Sequence, residues 1–193
     1  ASWMYMGVVV PISEYELHVM KYSNSGLYNT PTILRINKST GAYLGTATFN
    51  NNGLSNGCST SSSYYMHDAT VYNGEVYTVS YSYYDVVKWT VTSTSWKCST
   101  VWSYNEYITG VDFDEDTGKL FVSYYDSSTY PTYNRYLMEV NPSNPSSISS
   151  TWSLGSAVDY NYKTTSTAGN PNSGLVVDLP RVILNEYNSQ GSR

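Results

Sequence analysis

The chain has 193 residues, of which 13% are charged and 40% hydrophobic, and its formal net charge is −5. The charged share is well below the roughly 25% of an ordinary soluble protein, and no basic excess can neutralise phosphates, so the composition disfavours a nucleic-acid-binding protein. The hydrophobic share disfavours intrinsic disorder, and no apolar run reaches the roughly 18 residues that a membrane-spanning helix needs.

Short runs of β-branched and aromatic residues, separated by Gly, Pro, Asn and Ser, predict β-strands along the chain. In chain order, clear examples are Leu17–Met20, Glu75–Val79 and Lys119–Val122. Apolar residues spaced at i, i+3 and i+4 do not continue over any long stretch, so the pattern does not favour helices. The sequence therefore predicts an all-β protein.

An internal repeat organises these strands. Three segments share the order apolar, apolar, charged, apolar, polar, and their starts lie 53 and 51 residues apart: Ile33–Asn37, Val86–Thr90 and Leu137–Asn141. Two further sets of large apolar residues keep intervals of 53 and 52 residues: Tyr43, Trp96 and Ile148, then Phe49, Trp102 and Leu154. Because three independent landmarks keep one period, the chain is predicted to contain repeated modules of about 52 residues.

Each module is predicted to hold four short antiparallel strands. Val71–Gly74 leads into Val76–Val79 as a strand, a tight glycine turn and a second strand. The stretch 113–122, with its Asp-x-x-Thr-Gly-Lys-Leu-Phe-Val pattern, has the same form. With these features the chain resembles secreted β-propeller repeat proteins, at the superfamily level, over about residues 1–187.

The resemblance implies a single β-propeller-like domain over residues 1–193, with three and a half to four blades. The modules are expected at about 1–50, 64–103 and 107–155, and an incomplete module at 174–193. Such a number of blades is too small for a usual six- to eight-bladed ring, which leaves three alternatives. The chain closes a small four-bladed ring, it belongs to a longer polypeptide, or several copies complete one another. No named subfamily motif is present, so no family active site is carried over.

The two cysteines and one glycosylation sequon give information about the cellular compartment of the protein. Cys58 and Cys98 form either one disulfide or two separate buried thiols, and neither lies in a C-x-x-C pair that would indicate a zinc or redox site. Asn37-Lys38-Ser39 is a candidate N-glycosylation site. With neutral Ser, Thr, Asn and Tyr replacing Lys and Glu, these features favour an extracellular or cell-surface location.

Four acids crowd the segment from Asp112 to Gly118. Asp112, Asp114 and Asp116 could give oxygen ligands to Ca²⁺. Thr117 and Ser123, however, stand where a calcium loop has glycine and an acid. The competing interpretation is a turn in which Asp116 caps the backbone and Gly118 adopts a positive φ. No cofactor is expected apart from this calcium ion.

Catalytic arrangements are weakly indicated. His67-Asp68 opens a strand, but no nucleophile elbow or H-E-x-x-H pair is present. A secreted glycoside hydrolase would need two acids across a sugar ring, and four could approach one another in a ring: Asp68, Asp112, Asp159 and Asp178. A sialidase-like triad of Arg35, Arg135 and Arg181 is disfavoured because these residues occupy unmatched strand positions.

Tyrosine is the strongest functional signal, with 22 copies against 3 phenylalanines. Doublets and near-doublets flank strand ends, and neighbours on a strand point to opposite faces, so each doublet is expected to place one ring outward. Outward tyrosines offer flat apolar area with a hydroxyl. They serve cross-strand packing, protein contact or carbohydrate contact. The candidate contact residues are Tyr65, Tyr84, Trp102, Tyr125 and Tyr133.

The sequence thus favours a non-enzymatic extracellular protein that self-assembles into an oligomer or filament, or presents tyrosine-rich surfaces to another extracellular protein. A carbohydrate-binding propeller is the alternative, and a secreted glycoside hydrolase comes third.

Overall fold

The computed structural model describes residues 4–23, 32–50, 66–80, 84–126, 128, 132–158, 172–178 and 181–187. These ranges form fourteen β-strands and contain no α-helix, which confirms the predicted all-β class. No helix in these ranges is long and apolar enough to cross a bilayer. The strands are β1 Met4–Pro11, β2 Glu16–Ser23, β3 Thr32–Asn37, β4 Tyr43–Asn50, β5 Met66–Tyr72, β6 Glu75–Ser80, β7 Asp85–Thr92, β8 Ser95–Ser103, β9 Tyr107–Asp114, β10 Lys119–Asp126, β11 Thr132–Asn141, β12 Asn144–Val158, β13 Asn172–Asp178 and β14 Arg181–Tyr187.

The largest sheet has eight strands in the order β1-β2-β3-β4-β8-β7-β6-β5. Its two halves are antiparallel, and β4 and β8 join them in parallel where Thr48–Asn50 lies beside Ser95–Lys97. The edge strands β1 and β5 contact each other, so the sheet is nearly closed, like a barrel. Two separate four-stranded sheets were expected for this part of the chain. The backbone pairing of β4 with β8, together with a bond from the Thr48 N–H to the Thr94 carbonyl at 2.8 Å, joins them into one.

A second sheet contains four strands in the order β12-β11-β10-β9, and β13 pairs with β14 as a hairpin. Consecutive strands therefore form three antiparallel groups, which we call the first meander (β1–β4), the second meander (β5–β8) and the third meander (β9–β12). At the β5–β6 turn, Asn73 and Gly74 have φ values of 50° and 75°. Two successive positive φ values suit the tight hairpin turn that the sequence predicts there.

The three meanders repeat one ion pair. In each, a charged residue at the start of the second strand contacts an oppositely charged residue on the third strand, diagonally across the ladder. The distances are 2.6 Å for Arg35–Glu16, 2.5 Å for Lys88–Glu75 and 3.1 Å for Lys119–Glu139. The charged position of the 52-residue repeat thus has one structural role in all three meanders, although the signs are exchanged in the third.

Two apolar clusters hold the meanders together. The first joins the first and second meanders, and its buried members are Val8, Val10, Met20, Ile33, Ala47, Met66, Val76, Val87, Trp89, Trp96 and Cys98. The second joins the second and third meanders, and its buried members are Tyr77, Val79, Val86, Ile108, Val111, Phe113, Leu120, Val122, Met138 and Val140. Because alternate residues of β6 and β7 enter different clusters, the second meander is buried on both faces.

Candidate functional site: a tyrosine cluster at one end of the sheets

Three tyrosines from separate parts of the chain meet at one end of the second and third meanders. Tyr84 immediately precedes β7, Tyr107 begins β9, and Tyr125 lies near the end of β10. The Tyr107 and Tyr125 rings stack with centroids 4.9 Å apart and planes 2° apart. The Tyr84 ring meets Tyr107 edge-on at 4.8 Å and 68°. We call these three residues the tyrosine cluster.

Backbone pairing places the rings of the tyrosine cluster. Tyr107 and Tyr125 are direct partners in the β9–β10 ladder, on the far side of a bulge from the turn. The Tyr104 N–H donates to the Tyr84 carbonyl at 2.7 Å, which fixes the chain before β7 beside the end of β8. Aromatic pairs of this kind add about 0.5–1.5 kcal/mol beyond the area they bury. The cluster is therefore a fixed feature of the sheet ends.

The tyrosine cluster presents hydroxyls and partly exposed rings. Tyr84 is 41% exposed, and Tyr107 and Tyr125 are half-buried. A hydrogen bond with Tyr84 raises the pKa of the Tyr107 hydroxyl, and the nearby Tyr84 charge and burial add to the shift. The Tyr107 hydroxyl thus stays protonated at neutral pH. A surface with aromatic area and hydroxyls suits contact with a partner that has both apolar and hydrogen-bonding groups.

Two carboxylates lie in the sequence directly beside the tyrosine cluster. Burial raises the pKa of Glu106, and the negative charge of Asp126 adds to this effect. Hydrogen bonds from Ser128, including its backbone N–H at 2.8 Å, lower the pKa of Asp126. Both carboxylates lie close enough to Tyr124 for their charges to raise the pKa of its hydroxyl, and the Asp126 carboxylate is ionised at neutral pH.

The neighbouring Tyr124 faces the other way. Its ring stacks on Tyr136 at 5.1 Å and 20°, and it packs against the second apolar cluster. Burial raises the pKa of the Tyr124 hydroxyl, and the nearby charges of Glu106, Tyr136 and Asp126 add to the shift. The Tyr124-Tyr125 doublet therefore divides its rings between core packing and the tyrosine cluster.

The other candidate contact residues do not belong to the described tyrosine cluster. Trp102 is half-buried and stacks on the buried Tyr77 at 6.1 Å and 6°, so it packs against the second cluster rather than projecting as a contact residue. Tyr65 and the side chain of Tyr133 lie outside the described residues.

The acidic segment forms a turn around Asp114. One Asp114 carboxylate oxygen accepts the Asp116 N–H at 3.2 Å and the other accepts the Thr117 hydroxyl, while the Asp114 carbonyl accepts the Gly118 N–H at 2.8 Å. Gly118 has a φ of 67°, as the turn interpretation expects, but Asp114 rather than Asp116 supplies the capping carboxylate. Among the described residues, no group of three or more His, Cys, Asp or Glu side chains could hold a metal ion.

Asp68 and Asp112 contribute to the contact between β5 and β9. Asp68 accepts the Val111 N–H at 3.0 Å, which caps a backbone donor on the edge strand β9. Asp112 accepts the Thr70 hydroxyl at 2.8 Å. These two acids do approach each other's strands, as the ring hypothesis expects, but these hydrogen bonds hold the two strands together. Asp159 lies outside the described ranges, as does the side chain of Asp178.

His18 joins the first two meanders through a buried polar network. The Trp96 indole N–H donates to His18 Nδ1 at 2.8 Å, so Nε2 carries the proton and donates to Glu16 at 3.0 Å. Glu16 also accepts from Arg35 at 2.6 Å and from Ser93 at 2.9 Å. Arg35, first among several donors, lowers the pKa of Glu16 to about 2, so this carboxylate is a poor base. The network supports packing rather than proton transfer.

The remaining sequence candidates are placed as follows. Cys98 is buried and disulfide-bonded. Cys58, the chain's other cysteine, lies outside the described residues, so the Cys58–Cys98 pairing stays a prediction. Asn37 ends β3, and its side-chain oxygen accepts the N–H groups of Ser39 and Thr40, both at 3.0 Å, so this sequon lies in a surface turn.

The remaining histidine and the three arginines were the other catalytic candidates. His67 lies on β5, but its side chain is outside the described residues. Arg35 pairs with Glu16, and burial lowers the pKa of Arg135. The side chain of Arg181 is outside the described residues.

Sequence reasoning missed Tyr107. Counting outward from the Asp114–Lys119 turn places Tyr107 opposite Tyr125 once one bulge is allowed, so the spacing did contain this signal. The chain has no match among models of known protein families or among curated proteins.

Proposed function

We propose that this protein is a non-enzymatic, extracellular protein of β-propeller-like build that acts through its surfaces, by contact with other proteins and with further copies of itself. The observation that carries the proposal is the tyrosine cluster, in which two stacked rings and a third that meets them edge-on form one partly exposed patch. Rigid tyrosines give contact area at low entropic cost, which is why they are enriched in protein interfaces.

The propeller-like arrangement has its support in the repeat. Three consecutive groups of four antiparallel strands share the same ion-pair position, and the first strands of successive groups contact one another. The β13–β14 hairpin continues the series, because β13 contacts β9. A ring of four-stranded units with their first strands innermost has these contacts.

The non-enzymatic assignment has its support in the use of the ionisable groups. Asp68, Asp112 and Asp114 each accept hydrogen bonds that hold strands or a turn together. Glycoside hydrolysis requires two carboxylates facing across a sugar ring. The disulfide at Cys98 supports an extracellular location, because disulfides persist in oxidising compartments.

A carbohydrate-binding role is the second candidate, and the surroundings of Tyr84 favour it. This ring is 41% exposed, and it meets the Tyr107 ring edge-on, so the patch combines open aromatic area with phenol hydroxyls. A flat ring beside hydrogen-bond acceptors can stack on a sugar and bind its hydroxyls.

The test compares Tyr84→Ala with Tyr15→Ala, which removes a tyrosine that is 66% exposed in the β1–β2 turn. Binding to other proteins displayed on an array and sugar binding on a glycan array are measured side by side. Tyr84→Ala should weaken whichever binding the wild type shows, and Tyr15→Ala should not. Glycan binding lost in Tyr84→Ala would favour the second candidate. Equal binding by both variants and the wild type would contradict a contact role for the tyrosine cluster.

A further inference from the structure

One face of the first meander carries apolar residues from all four of its strands. The strand registers place Val9 beside Val19, Val19 beside Leu34, and Ile36 beside Tyr43 on this face. Val9 is 55% and Tyr43 62% exposed, Leu17, Leu34 and Ile36 are half-buried, and Val19 in the middle of the face is 8% exposed. We call this surface the leading face and define it by Val9, Leu17, Val19, Leu34, Ile36 and Tyr43.

The repeat shows what this face does elsewhere in the chain. Leu34 and Ile36 lie on the third strand of the first meander. The same repeat positions are occupied by Val87 and Trp89 in the second meander, and by Met138 and Val140 in the third. Those four residues are buried. Val87 and Trp89 pack in the cluster shared with the first meander, and Met138 and Val140 pack in the cluster shared with the second.

The same face is therefore an interface twice within the chain, each time against the preceding meander. The first meander has no preceding meander among the described residues. An apolar sheet face that meets solvent stabilises the protein when a second sheet covers it, since two sheets pack about 10 Å apart with their side chains interdigitated.

The outer side of the third meander, at the other end of the series of meanders, cannot receive a complete leading face. There, Phe121 and Leu137 of the third meander are already buried, and the partly buried Leu154 packs against them. The β13–β14 hairpin already lies against the inner strands of this meander, because β13 contacts β9 and β10. The part of this face that still meets solvent lies around Trp152, which is 43% exposed. A four-stranded face needs a partner of equal width, and another leading face has that width.

We propose that the leading face binds the leading face of a second copy of this chain, in a two-fold symmetric dimer. The inference rests on the proposed function, of which it specifies the self-contact. A two-fold interface uses the same patch on both copies and is the commonest symmetry of soluble oligomers. Among the described strand pairs, Lys21 is the one charged residue on the leading face. Pairing two such faces therefore brings few like charges together.

The size of the leading face sets the strength of the dimer. Its strands have six to eight residues. With strands about 4.8 Å apart and a rise of about 3.3 Å per residue, the face measures ~400 Å² in projection. A standard interface buries about 800 Å² per partner. The dimer is therefore weak and reversible, and it forms as the protein concentration rises.

Sedimentation equilibrium across a wide concentration range tests the inference with three variants. Val9→Lys combined with Tyr43→Lys places two charges on the leading face and should abolish the dimer. Trp152→Lys charges the opposite end of the stack, and Tyr15→Lys charges an exposed turn; both should dimerise as the wild type does. Circular dichroism checks that each variant keeps its strand content, and exposed positions are chosen so that folding is not at stake.

A mixing experiment separates the two-fold dimer from a head-to-tail chain. Fluorescently labelled Val9→Lys/Tyr43→Lys protein is mixed with excess wild type. In the two-fold dimer the variant has no binding surface, so it should sediment as a monomer. Co-sedimentation of the variant with wild type, or loss of association in Trp152→Lys, would overturn the inference in favour of head-to-tail contact while leaving self-association in place.

The remaining outcomes are also decisive. A wild-type protein that stays monomeric at every concentration would overturn both this inference and the self-contact in the proposed function. The contact role of the tyrosine cluster would still be judged by Tyr84→Ala against Tyr15→Ala. Dimerisation of the Val9→Lys/Tyr43→Lys variant at wild-type strength would overturn the leading face alone.

Discussion

The first and second meanders have the same strand order and the same ion pair, yet they differ in how much of them is buried. The second meander lies between two apolar clusters, with Val87 and Trp89 on one side and Tyr77 and Val86 on the other. The first meander has one face in a cluster, and its leading face is only partly buried, with Val9 and Tyr43 exposed. The repeat therefore supplies one pattern, and position in the stack decides whether a face becomes core or contact surface.

The largest expected effect comes from truncating the same repeat position in these two meanders. Trp89→Ala removes a buried ring that packs on Phe49 and Trp96 and donates to the Thr78 hydroxyl, so it should lower the free energy of unfolding by about 3–5 kcal/mol. Ile36→Ala, on the leading face, should lower it by about 1 kcal/mol because the side chain is half-buried.

Urea unfolding at low protein concentration measures both values. An Ile36→Ala variant as unstable as Trp89→Ala would mean that the leading face is already core in the monomer, and the contrast between the two meanders would disappear.

A smaller effect is expected at two glycine turns. Gly118→Ala forces a residue with a side chain into a φ of +67° and places its Cβ 2.8 Å from the Tyr72 hydroxyl oxygen. Tyr72 stacks on Phe113 at 4.2 Å, which limits its movement. Gly74→Ala has a similar φ of +75° but meets open space.

Both glycine variants bear the left-handed penalty of about 1–2 kcal/mol, and Gly118→Ala should lose more because Tyr72 must move. Thermal unfolding compares them. Equal losses would show that the contact between the second and third meanders is loose at this turn.

The pH dependence of the free energy of unfolding should report on His18, which joins the first and second meanders. Burial, the largest cause, lowers the pKa of His18 below its ordinary 6.5, although Glu16 opposes the shift. The unfolded chain therefore takes up a proton near pH 6.5 that the folded protein does not, so stability should fall as the pH drops below about 6.5 and stay level above it. Below pH 4.5 a second loss should begin, because Glu16 is protonated in the unfolded chain but has a pKa of about 2 in the folded one.

Stability measured between pH 8 and 5 in His18→Gln should lose the first step, because glutamine keeps one donor and one acceptor without titrating. His67→Gln, which changes the chain's other histidine, serves as the control. A step that persists in His18→Gln would assign the pH dependence to another group.

Local features of this fold could be predicted from the sequence. The three pentads, Ile33–Asn37, Val86–Thr90 and Leu137–Asn141, lie on β3, β7 and β11, because alternation and turn residues act within a few positions. The turn at Asn73-Gly74 has the same local origin. The parallel pairing of β4 with β8 could not be predicted, since it joins strands about fifty residues apart through only a short run of residues.

Part of the candidate site could likewise be predicted from the sequence, and part of it could not. The doublet at Tyr124-Tyr125 predicted rings on two faces of a strand, but the meeting of Tyr84 with Tyr107 depends on how two sheets approach each other. The burial of His18 depends on Trp96, which lies 78 residues further along the chain. Contacts between meanders therefore need the structure, whereas contacts within a hairpin can be counted from its turn.

Hydroxyl-radical footprinting at low and high protein concentration tests the central claim most directly, because it reports the solvent exposure of individual side chains. Tyr43 on the leading face and Tyr15 in the β1–β2 turn are 62% and 66% exposed, so they should be oxidised at similar rates in dilute protein. At high concentration Tyr43 should become protected while Tyr15 stays reactive. Equal reactivity of the two tyrosines at every concentration would contradict the account.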